Sequence, residues 1–85
     1  MSDQGLTGVR IRYFGPLLDV TGTPQETVSL RLPDTVAGVN RQLWQHRPGL
    51  AGVDYRLAVD ETLREGEEAV ATAREIALLP PFSGG

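Results

Sequence analysis

Two segments near the amino terminus alternate apolar and polar residues, and this alternation constrains the fold more than any other feature. Residues 9–14 place their apolar side chains at Val9, Ile11 and Tyr13, and residues 27–32 place theirs at Val28, Leu30 and Leu32. A period of two residues is that of a strand with one buried face. Only Gly15-Pro16, one helical turn over residues 17–20 and Pro24 separate the two segments, which predicts an antiparallel pair.

The main helix is predicted after Pro33, with Asp34 or Thr35 as its N-cap. An apolar stripe follows at helical spacing and consists of Val36, Val39, Leu43 and Trp44. Pro48-Gly49 predicts the end of the helix. Gly38 lies inside it, at a cost of about 1 kcal/mol relative to alanine.

Two more strands are predicted, over residues 56–59 and 74–79, with an acidic surface loop over residues 60–68 between them. The order β-β-α-β-β, with the last strand beside the first, is the β-grasp arrangement. The predicted class is therefore α+β, a ubiquitin-like mixed sheet covered by one main helix. We expect a flexible amino terminus over residues 1–7, a domain over 8–79 and an extended tail over 80–85.

Composition excludes several classes of function. The 85 residues suffice for one domain, contain no cysteine and no lysine, and carry a net charge of −3. Disulfides, thiolate metal sites and lysine Schiff bases are thus excluded, and an acidic chain without a basic patch is a poor nucleic-acid ligand. The single histidine, His46, is predicted to be a surface partner of a helix terminus and not a metal ligand. We expect no catalytic residues, no metal site, no membrane segment and a cytoplasmic location.

The last residues carry the chemistry. Leu79 ends the final strand, Pro80-Pro81 forbids further strand pairing, and Phe82-Ser83-Gly84-Gly85 follows. Two terminal glycines leave no Cβ to obstruct a reagent that approaches the carbonyl of Gly85. Such a carboxylate is suited to activation by adenylation and then to replacement of one oxygen by sulfur. A frayed end is the alternative reading of a Gly-Gly terminus.

Residues 8–85 resemble the small, sulfur-carrying subunit of molybdopterin synthase, within the wider group that includes the thiamine sulfur carrier. Residues 9–15, Val-Arg-Ile-Arg-Tyr-Phe-Gly, look like the opening strand of that family, and residues 76–85 look like its closing strand and tail. The Pro80-Pro81 pair favours the molybdopterin branch. The chain departs from the family pattern at Leu18, where an arginine is frequent, and at residues 72–75, where an acidic turn is frequent.

The resemblance implies that an adenylating E1-like enzyme uses ATP to activate Gly85 and that a sulfurtransferase supplies the sulfur. The large synthase subunit, in a heterotetramer of two small and two large subunits, would hold the catalytic groups and use the thiocarboxylate to make the molybdopterin dithiolene. No permanently bound cofactor is implied.

An exposed apolar patch is expected around the tail as the surface that partners bind. Its predicted members are Phe14, Leu63, Leu79 and Phe82. Sulfur transfer for thiamine, cysteine or tRNA thiolation remains an alternative. So does a non-covalent ubiquitin-like interaction module, which would function without Gly84 and Gly85.

Overall fold

The computed structural model describes residues 5–81. In chain order its elements are β1 (Leu6–Tyr13), α1 (Leu17–Thr21), β2 (Gln25–Arg31), β3 (Asp34–Thr35), α2 (Val36–His46), a 3₁₀ helix (Pro48–Gly52), β4 (Arg56–Val59), β5 (Thr62–Arg64), β6 (Ala69–Val70) and β7 (Glu75–Leu79). None of the helices within these residues is long and apolar enough to cross a membrane.

Five strands form one mixed sheet in the order β2-β1-β7-β4-β5. β1 pairs antiparallel with β2 and parallel with β7, and β4 pairs antiparallel with both β7 and β5. The closing strand therefore lies beside the first, which confirms the predicted β-grasp arrangement. β1 begins at Leu6, two residues before the predicted start of the domain.

The core lies between the sheet and α2. The strand residues predicted to point inward are buried, among them Ile11 and Leu30 in the hairpin and Ile76 and Leu78 in β7. The helix contributes its predicted stripe, of which Val36, Val39 and Leu43 are buried and Trp44 is half-buried at the rim. The Trp44 indole N–H donates to the Tyr55 hydroxyl at 2.9 Å, so the side chain keeps a polar partner at the edge of the core.

Thr35 caps α2 by accepting a hydrogen bond from the Gly38 N–H at 3.0 Å, as predicted. Asp34 stabilises the same turn, because its carboxylate accepts the Thr35 N–H at 2.7 Å and the Gln42 side-chain N–H at 3.1 Å. A Cβ at Gly38 would collide with this carboxylate. The helix start therefore favours glycine at that position, because a larger residue would displace the Asp34 carboxylate.

The acidic segment is more ordered than predicted. Within residues 60–68, the short strand β5 turns back and pairs with β4, and β6 just after it pairs with β3 in a separate two-stranded sheet. The turn before β5 places Asp60 and Glu61 at φ angles of 47° and 73°, a region that favours glycine. Because neither residue is glycine, the sequence of this turn does not predict a hairpin. The prediction of a surface loop was therefore wrong for Thr62–Arg64, whereas residues 65–68 lie outside any strand or helix and are exposed.

Glu26 joins the hairpin to the end of α2. Arg47 donates two hydrogen bonds to its carboxylate, at 2.8 and 2.9 Å, and the Tyr13 hydroxyl donates another. The hydrogen bonds from Arg47 are the main reason that the pKa of Glu26 falls to about 2. Burial and the neighbouring Glu26 raise the pKa of Tyr13 well above its usual value. His46, predicted to act at the helix terminus, also lies 3.5 Å from this carboxylate.

Candidate functional site

The carboxyl-terminal segment leaves from the middle of the sheet. β7 lies between β1 and β4, and its last residue, Leu79, is paired with Arg56. On the other side, the Phe14 N–H donates to the Leu78 carbonyl at 3.2 Å. Pro80 and Pro81 have no N–H to donate, so the ladder stops where the tail begins. The exit point is thus held by strands on both sides.

Gly15 lies against Pro80, where the tail leaves the sheet. Its φ of 60° lies in the left-handed region, and a Cβ added there would stand 3.2 Å from Cγ of Pro80. A side chain at this position would therefore press tightly against Pro80, the first residue of the tail. Pro80 is half-buried as a result, whereas Pro81 is exposed.

The surface of the sheet that faces away from α2 presents a patch around the exit, which we call the open face. Because paired residues point to the same side of a sheet, the register places Leu63, Ala58, Ala77 and Arg12 in one row across four strands. Leu79 lies two residues beyond Ala77 on the same side. The Arg12 guanidinium stands 5.0 Å from the centre of the Phe14 ring, so Phe14 belongs to the open face as well.

Three of the predicted partner-binding residues meet on this face. Leu63 is the most exposed, at 47%, whereas Phe14 and Leu79 are half-buried. The fourth, Phe82, lies outside the described residues, as do Ser83, Gly84 and the predicted sulfur-carrying residue Gly85. Sequence reasoning did not name Ala58 and Ala77 as parts of the patch, although the alternation in β7 already separated Ala77 from the buried Ile76.

Charged side chains border the apolar part of the open face. Glu75 lies 3.9 Å from Arg10 and 3.6 Å from Arg12, and Arg56 lies 3.9 Å from Glu65. These ion pairs are open to solvent, so they contribute little to the stability of the fold. Asp60, within the segment predicted to be an acidic surface loop, accepts hydrogen bonds from the backbone N–H groups of Arg74 and Glu75, each at 3.0 Å.

Residues 5–81 contain no group of three or more histidine, cysteine, aspartate or glutamate side chains that could hold a metal ion. In the same part of the chain every buried side-chain nitrogen or oxygen has a hydrogen-bond partner. What the described residues offer is therefore an apolar, charge-bordered surface beside the exit of the carboxyl-terminal tail.

Comparisons with known proteins agree with this geometry. The ThiS family model matches residues 11–85. The molybdopterin synthase sulfur carrier subunit of Homo sapiens is 32% identical, over 94% of this chain and 97% of that protein. The protein of the same name from Caenorhabditis briggsae is 27% identical, over 94% of this chain and 100% of its own.

Among solved structures, the crystal structure of SAMP1 from Haloferax volcanii shares the fold. Its TM-score is 0.73 at 24% sequence identity, over 93% of this chain and 100% of that one. The fold is accordingly the ubiquitin-like β-grasp. Since the family model matches most of the sequence, including β7 and all that follows it, the chain belongs to the ThiS family.

Proposed function

We propose that this protein is a sulfur carrier that delivers sulfur for the dithiolene of molybdopterin and bears it on the carboxyl carbon of Gly85. The observation that carries the proposal is the exit of the tail from the centre of the sheet, beside the open face. The names of the human and Caenorhabditis relatives support the pathway, and the Pro80-Pro81 pair supports the same branch.

The chemistry proceeds in two steps. A carboxylate oxygen of Gly85 attacks the α-phosphorus of ATP on an adenylating E1-like partner, pyrophosphate leaves, and an acyl-adenylate forms. A hydrosulfide equivalent from a sulfurtransferase then attacks the carbonyl carbon, the bond to the AMP oxygen breaks, and loss of a proton leaves the thiocarboxylate. ATP is a substrate of the partner in this scheme, and the carrier is consumed and recharged stoichiometrically.

The described residues supply position and recognition. Pro80, packed against Gly15, gives the tail a defined starting point. From there, residues 82–85 could span about 13 Å when extended, enough to enter a narrow active site in a partner. The absence of Cβ atoms at Gly84 and Gly85 lets that active site close around the backbone.

Docking uses the open face in this proposal. Leu63, Leu79 and Phe14, joined by Phe82 of the tail, form the apolar anchor, and the arginines and glutamates around them orient the partner. The large synthase subunit, in a heterotetramer of two small and two large subunits, would hold the catalytic groups and bind the carrier through this surface. The adenylating enzyme would use the same surface at a different time.

Intact-mass analysis tests the chemical core of the proposal. Incubation with an adenylating enzyme, ATP and hydrosulfide should give the mass increase expected for replacing one oxygen by sulfur, and fragmentation should place it at Gly85. The matched control omits ATP. A modification on any other residue would contradict the proposal.

The pathway is tested by exchanging the partner. The charged carrier should produce molybdopterin with the large synthase subunit and its pterin precursor. If it supplied sulfur only to a thiazole-forming or tRNA-thiolating system, the sulfur-carrier chemistry would stand and the molybdopterin assignment would be wrong.

A further inference from the structure

The outer edge of β2 is a second candidate surface, at the end of the sheet away from β5. The side chains of its odd-numbered residues lie on the same side of the sheet as the open face. β2 is the first strand of the sheet, so one of its sides pairs with β1 and no strand of residues 5–81 covers the other. The Pro24 carbonyl accepts from the Tyr13 N–H and the Leu32 N–H donates to the Gly5 carbonyl, so the backbone of even-numbered residues faces β1. The odd-numbered residues therefore direct their N–H and C=O groups outward.

Side chains occupy both ends of this edge. The Gln42 amide accepts the Arg31 N–H at 2.7 Å and donates to the Arg31 carbonyl at 2.9 Å, and so replaces a neighbouring strand for one residue. The Thr23 hydroxyl donates to the Gln25 carbonyl at 3.1 Å. Between them, the outward groups of Thr27 and Ser29 make no hydrogen bond within residues 5–81.

A groove runs along this edge, between β2 and α2. Thr27, Ser29 and Arg31 line its strand side. On the helix side, the lining residues recur at the spacing of a single helical face, and they are Gly38, Arg41, Gln42, Gln45 and His46. At Gly38, the Asp34 carboxylate occupies the place of a side chain in this wall. Exposed edges with unpaired backbone groups are the templates on which extended peptides add as strands.

The groove is cationic although the chain is acidic. Arg31 and Arg41 are exposed and form no ion pair within the described part of the chain. Among residues 5–81, Asp34 is the one residue that lines the groove with a carboxylate, and this carboxylate is already bound by Thr35 and Gln42. The charge near the free edge therefore favours a ligand that carries carboxylates.

We propose that this groove binds an extended acidic peptide segment of a partner protein, which adds as a strand to the edge of β2. Its backbone pairs with Thr27 and Ser29, and its carboxylates lie against Arg31 and Arg41. One strand, β1, separates β2 from the tail-bearing β7, a distance of about 10 Å between the outer two. The carrier can thus hold such a segment while the open face and tail engage an enzyme.

The test is a titration of the full chain with a synthetic peptide of about eight residues. The first half of the peptide consists of valine and isoleucine, and the second half consists of aspartate and glutamate. Backbone amide resonances of Thr27, Ser29 and Arg41 should shift, whereas those of Leu63 and Ala77 should not. A peptide with lysine in place of each acid should bind at least about tenfold more weakly, since like charges then face each other.

Two pairs of variants, each a test and its control, separate the backbone and charge contributions. Arg41→Glu should weaken binding about fivefold or more, whereas Arg64→Glu, an exposed arginine on the opposite edge strand, should leave it unchanged. Thr27→Pro removes one outward N–H at a site where an edge strand tolerates proline, and it should abolish binding, whereas Thr27→Val should not. Thermal unfolding shows whether each variant remains folded.

Several results would overturn the proposal. These are resonance shifts confined to the open face, equal weakening by Arg41→Glu and Arg64→Glu, or no peptide binding at millimolar concentration. Binding that emerges only after deletion of residues 1–4 would also overturn it, because the chain's own amino terminus would then be the occupant.

Discussion

At the scale of single residues, Gly15 and Gly38 are each favoured over larger residues, for different reasons. Gly15 adopts a left-handed φ and lies against Pro80, so it shapes the exit of the tail. Gly38 has no such φ, and in a helix it is ordinarily a small liability relative to alanine. Its value comes from tertiary structure, because the Asp34 carboxylate occupies the space that a Cβ would need. The helical pattern alone predicts only the cost.

Gly38→Ala should therefore destabilise the protein, against the usual trend for helices. We expect a loss of about 1–3 kcal/mol in the free energy of unfolding, since Asp34 must give up its bonds to Thr35 and Gln42 to make room. Urea denaturation measures it. In an Asp34→Ala background the same substitution should cost much less; a stabilising effect in the otherwise unaltered chain would contradict this account.

The lowered pKa of Glu26 predicts how the stability of the fold depends on pH. Its folded pKa of about 2 lies below the ordinary glutamate value, so its ionised form is favoured by folding. The stabilisation is fully present above about pH 4.5 and is lost as pH falls through the folded pKa. Glu26→Gln should cost about 1–2 kcal/mol at pH 7, a figure discounted for the solvent that borders the carboxylate.

The measurement is chemical denaturation between about pH 2 and pH 7. The difference in stability between Glu26→Gln and the unaltered chain should shrink toward pH 2. Glu75→Gln is the control, because its ion pairs with Arg10 and Arg12 are exposed, and it should change stability little at any pH. A pH-independent difference for Glu26→Gln would mean that the ionised carboxylate is not the source of the stabilisation.

At the scale of elements, the longer strands and the main helix could be predicted from the sequence, and the shortest strands could not. β1, β2, α2, β4 and β7 could be predicted because each is long enough to show its period or is bounded by clear turn residues. β3, β5 and β6 contain two or three residues each, too few for any alternation to show. They form because the sheet and the turn at Asp60-Glu61 bring them together, which is tertiary information.

In the candidate site, too, part of the arrangement could be predicted from the sequence and part depends on tertiary structure. Leu63, Leu79 and Phe14 could be named from the sequence as apolar residues without an obvious place in the core. That Leu63 shares a face with the other two depends on the β4–β5 register, and this rests on a turn with positive φ at two residues that are not glycine. The proposed tail chemistry stays a prediction, and the sequence could suggest it because the residues that support it are consecutive.

Leu63→Asp tests the open face as a docking surface. It should weaken binding to the adenylating enzyme or the large synthase subunit by about 2 kcal/mol, because a carboxylate would be buried in an apolar contact. Stability should change by less than about 0.5 kcal/mol, since Leu63 is exposed in the free protein. Isothermal titration calorimetry and thermal unfolding measure the two effects.

Leu6→Asp is the matched control, because Leu6 is similarly exposed but lies at the far end of β1 from the tail exit. Equal losses of affinity for the two variants would indicate a general effect of added negative charge. No loss for Leu63→Asp would remove β5 from the docking surface.

At the scale of the whole molecule, the folded domain and the tail with the proposed chemistry are joined at the end of β7. β7 is held on one side by a parallel strand and on the other by an antiparallel strand, so its end cannot shift without disturbing the sheet. The core within residues 5–81 is built mainly from the strands and helices, whereas the proposed chemistry belongs to the segment beyond Pro81. Folding and docking on one side, and sulfur transfer on the other, should therefore respond to different substitutions.

Deleting Gly85, or adding one residue after it, should abolish sulfur transfer while the domain still folds and still docks. In the proposed scheme, docking energy comes from the open face, whereas the reaction needs the carboxylate at one depth in the partner. One extended residue displaces it by about 3.3 Å, and a misplacement of about 1 Å can already cost about 100-fold in rate. The truncated protein should therefore inhibit the intact carrier competitively in a reconstituted assay of molybdopterin formation. If it instead supported full synthesis, the carrier function would be excluded and a non-covalent interaction module would account for the fold and its open face.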